Sequence, residues 1–267
     1  MIRLIASDLD GTLLEHDGRL PDDTFEVIQA LDECGIRFAA SSGRQYGNLV
    51  RLFAPVADRM AFVCENGAFC MIDGQEAGVI AIPRKTAYEI IADLEALGMN
   101  LLISGKHTCY MLDQNRKYTD DIVYRLRNTV TIVSSVDDII EPILKVSGQI
   151  DTGVAQLAPG LLQKWGNRVT ATVSGRDWFD FTVANKGMGM EKLMQHMGLQ
   201  KEEAAAFGDN FNDETMLDLV GHPFIMEKAH PELHKPQYHE CRKVIPVLRA
   251  IAEARGDLSK ALAMING

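Results

Sequence analysis

The sequence predicts an α/β fold in which a parallel sheet covered by helices is interrupted by an inserted α+β domain. At both ends of the chain, short apolar runs alternate with stretches of helical periodicity, which favours a parallel sheet. In the middle, neighbouring apolar runs lack a helix between them, and this is typical of antiparallel strands. We therefore predict a core formed by residues 1–82 and 185–267, with residues 83–184 as the inserted domain.

Apolar periodicity in the first third of the chain predicts strands that alternate with helices. Short apolar runs that end in Asp or Gly favour buried strands, and a period of about 3.6 residues favours amphipathic helices. Asn66-Gly67 is typical of a hairpin turn. The predicted elements are a strand at 2–7, a helix from Pro21 to Gly35, a strand at 36–41, a helix to about Phe53 and a strand at 61–64.

The same patterns divide the rest of the chain into an inserted domain and a second half of the core. In the inserted domain we predict helices at 86–97, 118–127 and 151–165, and strands at 100–104, 130–133, 143–148, 169–174 and 178–183. After Lys186 the alternating pattern returns, with helices at 188–197, 213–220 and 244–255 and strands at 204–207 and 224–226. This return indicates that both ends of the chain belong to one sheet.

Composition limits the classes of partner and compartment. The chain has 267 residues, with 27 Lys and Arg against 37 Asp and Glu, so its formal net charge is −10. Phosphate backbones are bound by clustered Lys and Arg, so we expect no nucleic-acid partner. No apolar run approaches the ~20 residues of a membrane span, and Met1–Ser7 does not resemble a signal peptide. Five cysteines without C-x-x-C spacing indicate free thiols, and we expect a cytoplasmic protein without a membrane partner.

The strongest chemical signal is the segment Asp8-Leu9-Asp10-Gly11-Thr12, which follows the first predicted strand. Ligands of open α/β sheets bind outside the carboxyl ends of the strands. Two carboxylates at i and i+2 point to the same side, which is unfavourable unless a cation or a proton is shared between them. The segment Gly208-Asp209-Asn210-Phe211-Asn212-Asp213 adds acid and amide groups after another strand. Such oxygen ligands favour Mg²⁺, although Asp and Asn are also common turn and cap residues.

Two further motifs provide groups that could bind a phosphate. Ser41-Ser42-Gly43-Arg44 offers a hydroxyl, backbone N–H groups and a predicted helix start, which together favour an anion site. A Ser that merely caps the helix is the alternative. Asn185-Lys186-Gly187 provides a point charge for phosphate where the core pattern resumes, and a surface Lys at a helix start is the alternative. Each of the four motifs lies at a strand end or a helix start, which makes their combination informative.

In this order, the four motifs resemble those of the haloacid dehalogenase superfamily of phosphatases, over the whole chain. Asp8-Leu9-Asp10-Gly11-Thr12 is similar to the first motif, Ser42 to the second, Lys186 to the third, and the segment 208–213 with Met216-Leu217 to the fourth. Glu65-Asn66-Gly67-Ala68 and the large insertion resemble the Cof-type branch, subfamily IIB. That resemblance implies a Rossmann-like core and a C2B cap that covers the site and selects the substrate. The sequence departs from the branch at Met226-Glu227-Lys228-Ala229.

The resemblance also implies a Mg²⁺-dependent phosphatase that hydrolyses a small, sugar-phosphate-like metabolite through an aspartyl-phosphate. Asp8 would be the nucleophile and Asp10 the general acid and base. The implied catalytic residues are Asp8, Asp10 and Lys186. The implied phosphate-binding residues are Ser42, Gly43, Arg44, Lys186 and Asn212. The implied metal ligands are Asp8, Asp10 through its backbone carbonyl, Asp209 and Asp213, the last directly or through water.

Other interpretations stay open at this point. A phosphomutase shares the motifs and the cap type, and a non-catalytic sensor of phosphorylated metabolites could use the same fold. His230-Pro231-Glu232-Leu233-His234 places two His four residues apart, but Pro231 favours a helix start over a zinc site. We expect Trp165 and Trp178 to be packing residues, with pocket lining as the alternative. The sequence leaves the substrate, the cap residues that select it and the oligomeric state undetermined.

Overall fold

The computed structural model describes residues 1–113 and 115–266, and these divide into two compact units. The first unit, called the core unit below, contains residues 1–43, 49–78 and 185–266. The second, called the inserted unit, contains Arg44–Asn48 and Val79–Ala184. The inserted unit thus starts four residues before position 83 and also includes a short segment from the first third of the chain.

Regular secondary structure covers most of both units. The strands are β1 (Leu4–Ser7), β2 (Arg37–Ser41), β3 (Met60–Cys64), β4 (Phe69–Ile72), β5 (Gln75–Val79), β6 (Asn100–Ser104), β7 (Cys109–Leu112), β8 (Val130–Val133), β9 (Lys145–Gln149), β10 (Thr170–Val173), β11 (Trp178–Thr182), β12 (Ala204–Gly208), β13 (His222–Met226) and β14 (His239–Cys241). The helices are α1 (Thr24–Glu33), α2 (Tyr46–Leu52), α3 (Arg84–Ala96), α4 (Arg116–Asp120), α5 (Ala158–Trp165), α6 (Lys186–Met197), α7 (Glu214–Leu219), α8 (Val244–Glu253) and α9 (Leu258–Asn266).

The core unit is built on an eight-stranded sheet in the order β14-β13-β12-β1-β2-β3-β4-β5. Strand β1 pairs in parallel with both β2 and β12, with Ser7 opposite Ala40 and Phe207. Strands β2 to β5 lie on one side of β1, and strands β12 to β14, which come later in the chain, lie on the other side. The carboxyl end of β1 is therefore the point where the strand order reverses, and ligands bind there in open α/β sheets. The strands from β14 to β3 are parallel and β4 is antiparallel to β3, and this largely parallel sheet confirms the predicted fold class.

Apolar packing on both faces holds this sheet in place. Every residue of β1, β3 and β12 is buried, as expected for strands covered by helices on both faces. Helix α6 contributes Met190, Leu193 and Met194 to a buried cluster that includes Leu4 and Ala206 of the strands. Met190 and Met194 are therefore core residues. Their packing fixes the helix that begins at Lys186 against the sheet.

The inserted unit contains a six-stranded sheet in the order β10-β11-β9-β6-β7-β8. Neighbouring strands are antiparallel except for β7 and β8, which confirms the predicted α+β insertion. Trp165 is 1% exposed and its Nε1 donates a hydrogen bond to Asp93 Oδ2 at 2.9 Å, so it packs as predicted. Trp178 is partly buried and also packs, with its ring centroid 5.9 Å from that of Tyr118, and it lines a cavity of about 500 Å³ as well.

Several elements differ from the prediction for local reasons. The helix predicted at 151–165 is wrong in its first half, because Gly153 has φ +88° and the helix begins only at Ala158. Strands β5, β7 and β14 and helix α9 were not predicted. In β5 the sequence Gln-Glu-Ala-Gly-Val is polar and half exposed, so it lacks the apolar run that indicates a strand.

Candidate active site

Asp8 directly follows β1, at the point where the strand order reverses. Its backbone N–H donates to the carbonyl of Phe207 at 2.9 Å, so the pairing of β1 with β12 continues one residue beyond the strand. This bond fixes the Asp8 backbone at the edge of the sheet. The residue is only 7% exposed. A carboxylate is thus held in a buried position, where its charge must be stabilised by other groups.

A wide turn over Leu9–Leu13 carries the chain away from Asp8, and the N–H of Leu14 donates back to Leu9 at 2.9 Å. Asp10 is exposed at the start of this turn. Gly11 has φ +91°, and a Cβ at this position would overlap the carboxylate of Asp209. Both the backbone angle and the space therefore require glycine. Thr12 Oγ1 donates to Asp209 Oδ1 at 2.9 Å, which joins the turn to the second acidic loop.

The second acidic loop follows β12 and is organised around the carboxylate of Asp213. The backbone N–H groups of Asp209 and Asn210 each donate to Asp213 Oδ2 at 3.0 Å. Asp213 is fully buried, and a Cβ at Gly208 would overlap its side chain. The glycine is therefore needed for the close approach of the loop to the strand. One oxygen of Asp213 is used within its own loop, and the other faces the rest of the site.

Lys186 connects the two acidic motifs. Its Nζ lies 2.5 Å from Asp8 Oδ1 and 2.6 Å from Asp213 Oδ1, and the residue is 1% exposed. It is the first residue of α6, whose N-terminus is capped by Asn185 Oδ1 accepting from the N–H of Met188 at 2.9 Å. The helix therefore starts two residues before the predicted start at 188. The surface-lysine interpretation of this motif is wrong.

Burial and mutual charge dominate the electrostatics of this cluster. Burial raises the pKa of Asp8 to about 7, since the attraction of Lys186 offsets only part of the desolvation and the charge of Asp213 adds to it. Burial also raises the pKa of Asp209. Burial would lower the pKa of Lys186, but Asp8 and Asp213 together raise it above its ordinary value, which keeps the ammonium form. Three carboxylates around one ammonium group leave excess negative charge, which a bound cation would neutralise.

The donor atoms of this cluster fit a hard divalent cation. One carboxylate oxygen from each of Asp8, Asp209 and Asp213 lies within 4.8 Å of the others, and oxygen ligands of this kind suit Mg²⁺. Over residues 1–113 and 115–266, no other group of three His, Cys, Asp or Glu side chains is arranged to hold a metal ion. The pair His230 and His234 is thus not part of such a group. Binding of the metal by the backbone carbonyl of Asp10 stays a prediction.

The Ser42 motif lies at the end of β2, next to β1 in the sheet. The N–H of Ser42 donates to Val63 at 2.8 Å, and the N–H of Asn66 donates to the Ser42 carbonyl at 3.0 Å. The prediction that a helix opens at this motif is wrong, because α2 begins only at Tyr46 and has seven residues. The groups available to an anion there are those of a loop. Arg44 belongs to the inserted unit.

The predicted site residues of the core unit lie on several loops and at the start of α6. Asp8, Lys186, Asp209 and Asp213 form the cluster described above, in which Asp209 is half-buried and the other three are buried. Asp10, Ser42, Gly43 and Asn212 lie in the core unit on the loops after β1, β2 and β12, and their roles stay predictions.

Sequence analysis assigned no role to three polar side chains that support this cluster, namely Thr12, Asn185 and Thr215. Thr215 Oγ1 accepts from the N–H of Gly187 at 3.1 Å, at the start of α6. The cap of α6 carried a usable signal, because Asn is a preferred residue immediately before a helix.

No helix in the described part of the chain combines the length and the apolar character that crossing a membrane requires.

Comparison with known proteins places the cluster in a wider context. A family model for haloacid dehalogenase-like hydrolases matches residues 5–244. The chain is 28% identical over 239 residues to the 5-amino-6-(5-phospho-D-ribitylamino)uracil phosphatase YbjI of Escherichia coli K12, covering 85% of this chain and 86% of that protein. It is 26% identical over 262 residues to an HMP-PP phosphatase of Enterobacter sp. strain 638, covering 91% and 92%. A solved subclass IIB sugar phosphatase of the superfamily shares the fold, with a TM-score of 0.73, 21% identity and coverage of 99% and 98%.

Proposed function

Because the chain belongs to the haloacid dehalogenase-like hydrolases, as its motifs predicted, we propose that it is a Mg²⁺-dependent phosphatase acting through an aspartyl-phosphate. Its substrate would be a small phosphorylated metabolite of the sugar-phosphate type. The two relatives named above are phosphatases of small phosphorylated compounds, which supports this substrate class. Asp8 would be the nucleophile, Asp10 the general acid and base, and Lys186 the cation that supports both the nucleophile and the phosphoryl group.

The bridge from Lys186 to Asp8 and Asp213 is the observation that carries this proposal. An anionic nucleophile repels an anionic phosphate ester, so the attack requires positive charge beside the nucleophile. Lys186 Nζ provides it at 2.5 Å from Asp8 Oδ1. A sensor that merely binds phosphate would need neither a buried nucleophile nor an exposed acid two residues away. The pairing therefore favours catalysis over sensing.

In the first step, a carboxylate oxygen of Asp8 attacks phosphorus and the bond from phosphorus to the substrate oxygen breaks. Asp10, in its protonated form, gives its proton to the departing alkoxide, which leaves as an alcohol. Ser42, the N–H of Gly43, Arg44 and Asn212 would bind the phosphoryl oxygens. Because phosphoryl transfer depends mainly on positioning and charge stabilisation, these contacts would supply most of the rate enhancement.

In the second step, Asp10 is a carboxylate and removes a proton from a water molecule, whose oxygen attacks phosphorus. The bond from phosphorus to Asp8 breaks, and inorganic phosphate and the free Asp8 carboxylate are produced. One water is consumed per turnover, and Asp10 returns to its protonated form. Asp8, Asp209, Asp213 and the Asp10 carbonyl would hold Mg²⁺, which supplies charge stabilisation to the transferring phosphoryl group.

Replacement of Asp10 by Asn is expected to lower kcat at least about 10²-fold, the usual scale of general acid–base catalysis. The change removes the proton donor but keeps the size of the side chain. Release of inorganic phosphate at saturating substrate measures the effect. A substrate with a better leaving group depends less on protonation by Asp10. The variant should therefore lose less of the rate of the first step with p-nitrophenyl phosphate than with an alkyl phosphate. A variant with wild-type kcat on an alkyl phosphate would contradict the role of Asp10.

Metal removal is expected to abolish phosphate release, and addition of Mg²⁺ should restore it. The reason is the excess negative charge of Asp8, Asp209 and Asp213, which one ammonium group does not neutralise. Treatment with a chelator, followed by titration with MgCl₂ or CaCl₂, measures the requirement. Full activity in excess chelator would disprove the metal dependence.

A screen for phosphate release in the presence of Mg²⁺ tests the function itself. The panel contains sugar phosphates, nucleotides, cofactor phosphates and the two compounds named for the relatives. Turnover of at least one small monoester is the expected result. Interconversion of sugar phosphate isomers after addition of a sugar bisphosphate, without phosphate release, would instead identify a mutase. If no compound of the panel is hydrolysed and no isomers are interconverted, the result would favour a non-catalytic sensor over an enzyme.

A further inference from the structure

The turn between β3 and β4 has an unusual backbone. Glu65 has φ +49°, Asn66 has φ +55° and Gly67 has φ +99°, so three consecutive residues lie on the left-handed side, and two of them are not glycine. Such conformations are uncommon for residues with a Cβ and persist only where the surrounding structure holds them. Strained turns of this kind cluster at functional sites.

One side of this turn contacts the Ser42 loop. The N–H of Asn66 donates to the Ser42 carbonyl at 3.0 Å. The carboxamide of Asn66 lies over Gly43, since a Cβ at Gly43 would be 3.2 Å from both Asn66 Nδ2 and Oδ1. Asn66 Oδ1 is buried and accepts no hydrogen bond from any described residue. The backbone of Asn66 is therefore hydrogen-bonded to the loop proposed to bind phosphate, and its side chain packs against the same loop.

The other side of the turn contacts the start of α6. A Cβ at Gly67 would overlap the carbonyl of Asn185, the residue before Lys186. A Cβ at Gly189, one turn into α6, would in turn lie 2.8 Å from Gly67 Cα. The two backbones thus pack directly on each other without side chains between them. This close packing fixes the axial position of α6, and therefore how far Lys186 reaches towards Asp8.

We propose that Asn66 and Gly67 are positioning residues that set the Ser42 loop and Lys186 relative to each other, a role that rests on the function proposed above. The Ser42 loop, which follows β2, and Lys186, at the start of α6, would both contact the phosphoryl group, and they are joined through this turn. A displacement of about 1 Å in a catalytic group can lower the rate about 10²-fold. This role would explain the positive φ angles of the turn, because that backbone conformation keeps the Ser42 loop and Lys186 at the required distance from each other.

The chain contains a matched control for this turn. The turn between β4 and β5 also has a non-glycine residue followed by glycine at positive φ, with Asp73 at +51° and Gly74 at +72°. A Cβ at Gly74 would meet no atom within 4 Å, and Asp73 is exposed and forms an ion pair with Arg37 at 3.0 Å. Substitutions there produce the same backbone strain without contact to either proposed phosphate-binding element.

The test compares Asn66→Ala with Asp73→Ala, using p-nitrophenyl phosphate and Mg²⁺. Both variants place Ala at nearly the same positive φ, so the backbone part of any loss of thermal stability should be similar in the two. We expect kcat of Asn66→Ala to fall about 10- to 100-fold, while Asp73→Ala keeps the wild-type kcat. Equal kcat in the two variants would overturn the positioning role. An inactive wild-type protein would instead overturn the proposed function and with it this inference.

Two further variants keep the test decisive if Asn66→Ala folds poorly. Asn66→Gly relieves the strain and keeps the backbone N–H, so a loss of kcat in this variant assigns the effect to the carboxamide. If Asn66→Gly is fully active, Gly67→Ala must lower kcat relative to Gly74→Ala, because only Gly67 abuts Asn185. Wild-type kcat in both Asn66→Gly and Gly67→Ala would overturn the proposal. Separate values of KM and kcat distinguish weaker phosphate binding from a displaced Lys186.

Discussion

Asp8→Asn is expected to lower phosphate release at least about 10⁴-fold, because the loss of a covalent nucleophile removes the chemical step itself. An amide oxygen does not form an acyl phosphate under these conditions. The fold should survive. Burial raises the pKa of Asp8 to about 7, whereas an Asp in an unfolded chain has a pKa of about 4. The free energy of unfolding therefore falls as the pH rises from about 4 to 7, because the unfolded chain loses this proton more easily than the folded protein. A neutral Asn at this position removes that penalty, and Lys186 keeps Asp213 as its partner.

Three measurements together test this expectation. Steady-state phosphate release gives the loss of turnover, and thermal unfolding without metal shows whether the fold is kept. Acid quenching during turnover, followed by mass spectrometry, should detect a phosphorylated peptide that contains Asp8 in the wild type and not in the variant. Asp58→Asn is the matched control, since Asp58 is an exposed acid of the core unit. Activity of Asp8→Asn near that of Asp58→Asn would show that Asp8 is not the nucleophile.

The core of the fold was predictable because its signals are local. Buried parallel strands such as β1, β3 and β12 are continuous apolar runs, and glycines close the helices between them. The edge strand β14 has only three residues and a polar sequence, so no apolar run indicates it. Strand β5 likewise lacks an apolar run that would indicate a strand. For α5, the helical periodicity extended over residues that Gly153 and its neighbours hold in turns.

The sequence predicted which residues form the cluster, but it did not predict the hydrogen bonds between them. Strand ends meet at one edge of a parallel sheet, so Asp8, Asp209 and Asp213 could be assigned to one region. That Asp213 uses one oxygen for its own loop and the other for Lys186 depends on distances between segments far apart in the chain. The positive φ of Asn66 and Gly67 agrees with the predicted Asn-Gly hairpin turn, whereas no sequence pattern indicated the positive φ of Glu65.

Lys186→Met is expected to lower both turnover and stability, and the two losses should respond differently to metal. The variant keeps an unbranched side chain but leaves Asp8 and Asp213 buried without their counter-ion. Removal of one partner from a buried ion pair lowers the free energy of unfolding by about 3–5 kcal/mol. Urea denaturation in the presence of a chelator measures this loss. Lys201→Met, which changes an exposed lysine of the core unit, should lose less than about 0.5 kcal/mol.

Mg²⁺ separates the two roles assigned to Lys186. A cation bound by the three carboxylates would restore part of the stability of Lys186→Met, because it replaces some of the missing positive charge. It should not restore turnover, since the charge that Lys186 presents to the phosphoryl group is still absent, and we expect kcat to stay at least about 10²-fold low. Adding Asp213→Asn to Lys186→Met should also recover stability without metal, because it removes one of the two unpaired carboxylates. Recovery of kcat together with stability would mean that Lys186 only neutralises the buried acids, and that the phosphoryl group is stabilised by other residues.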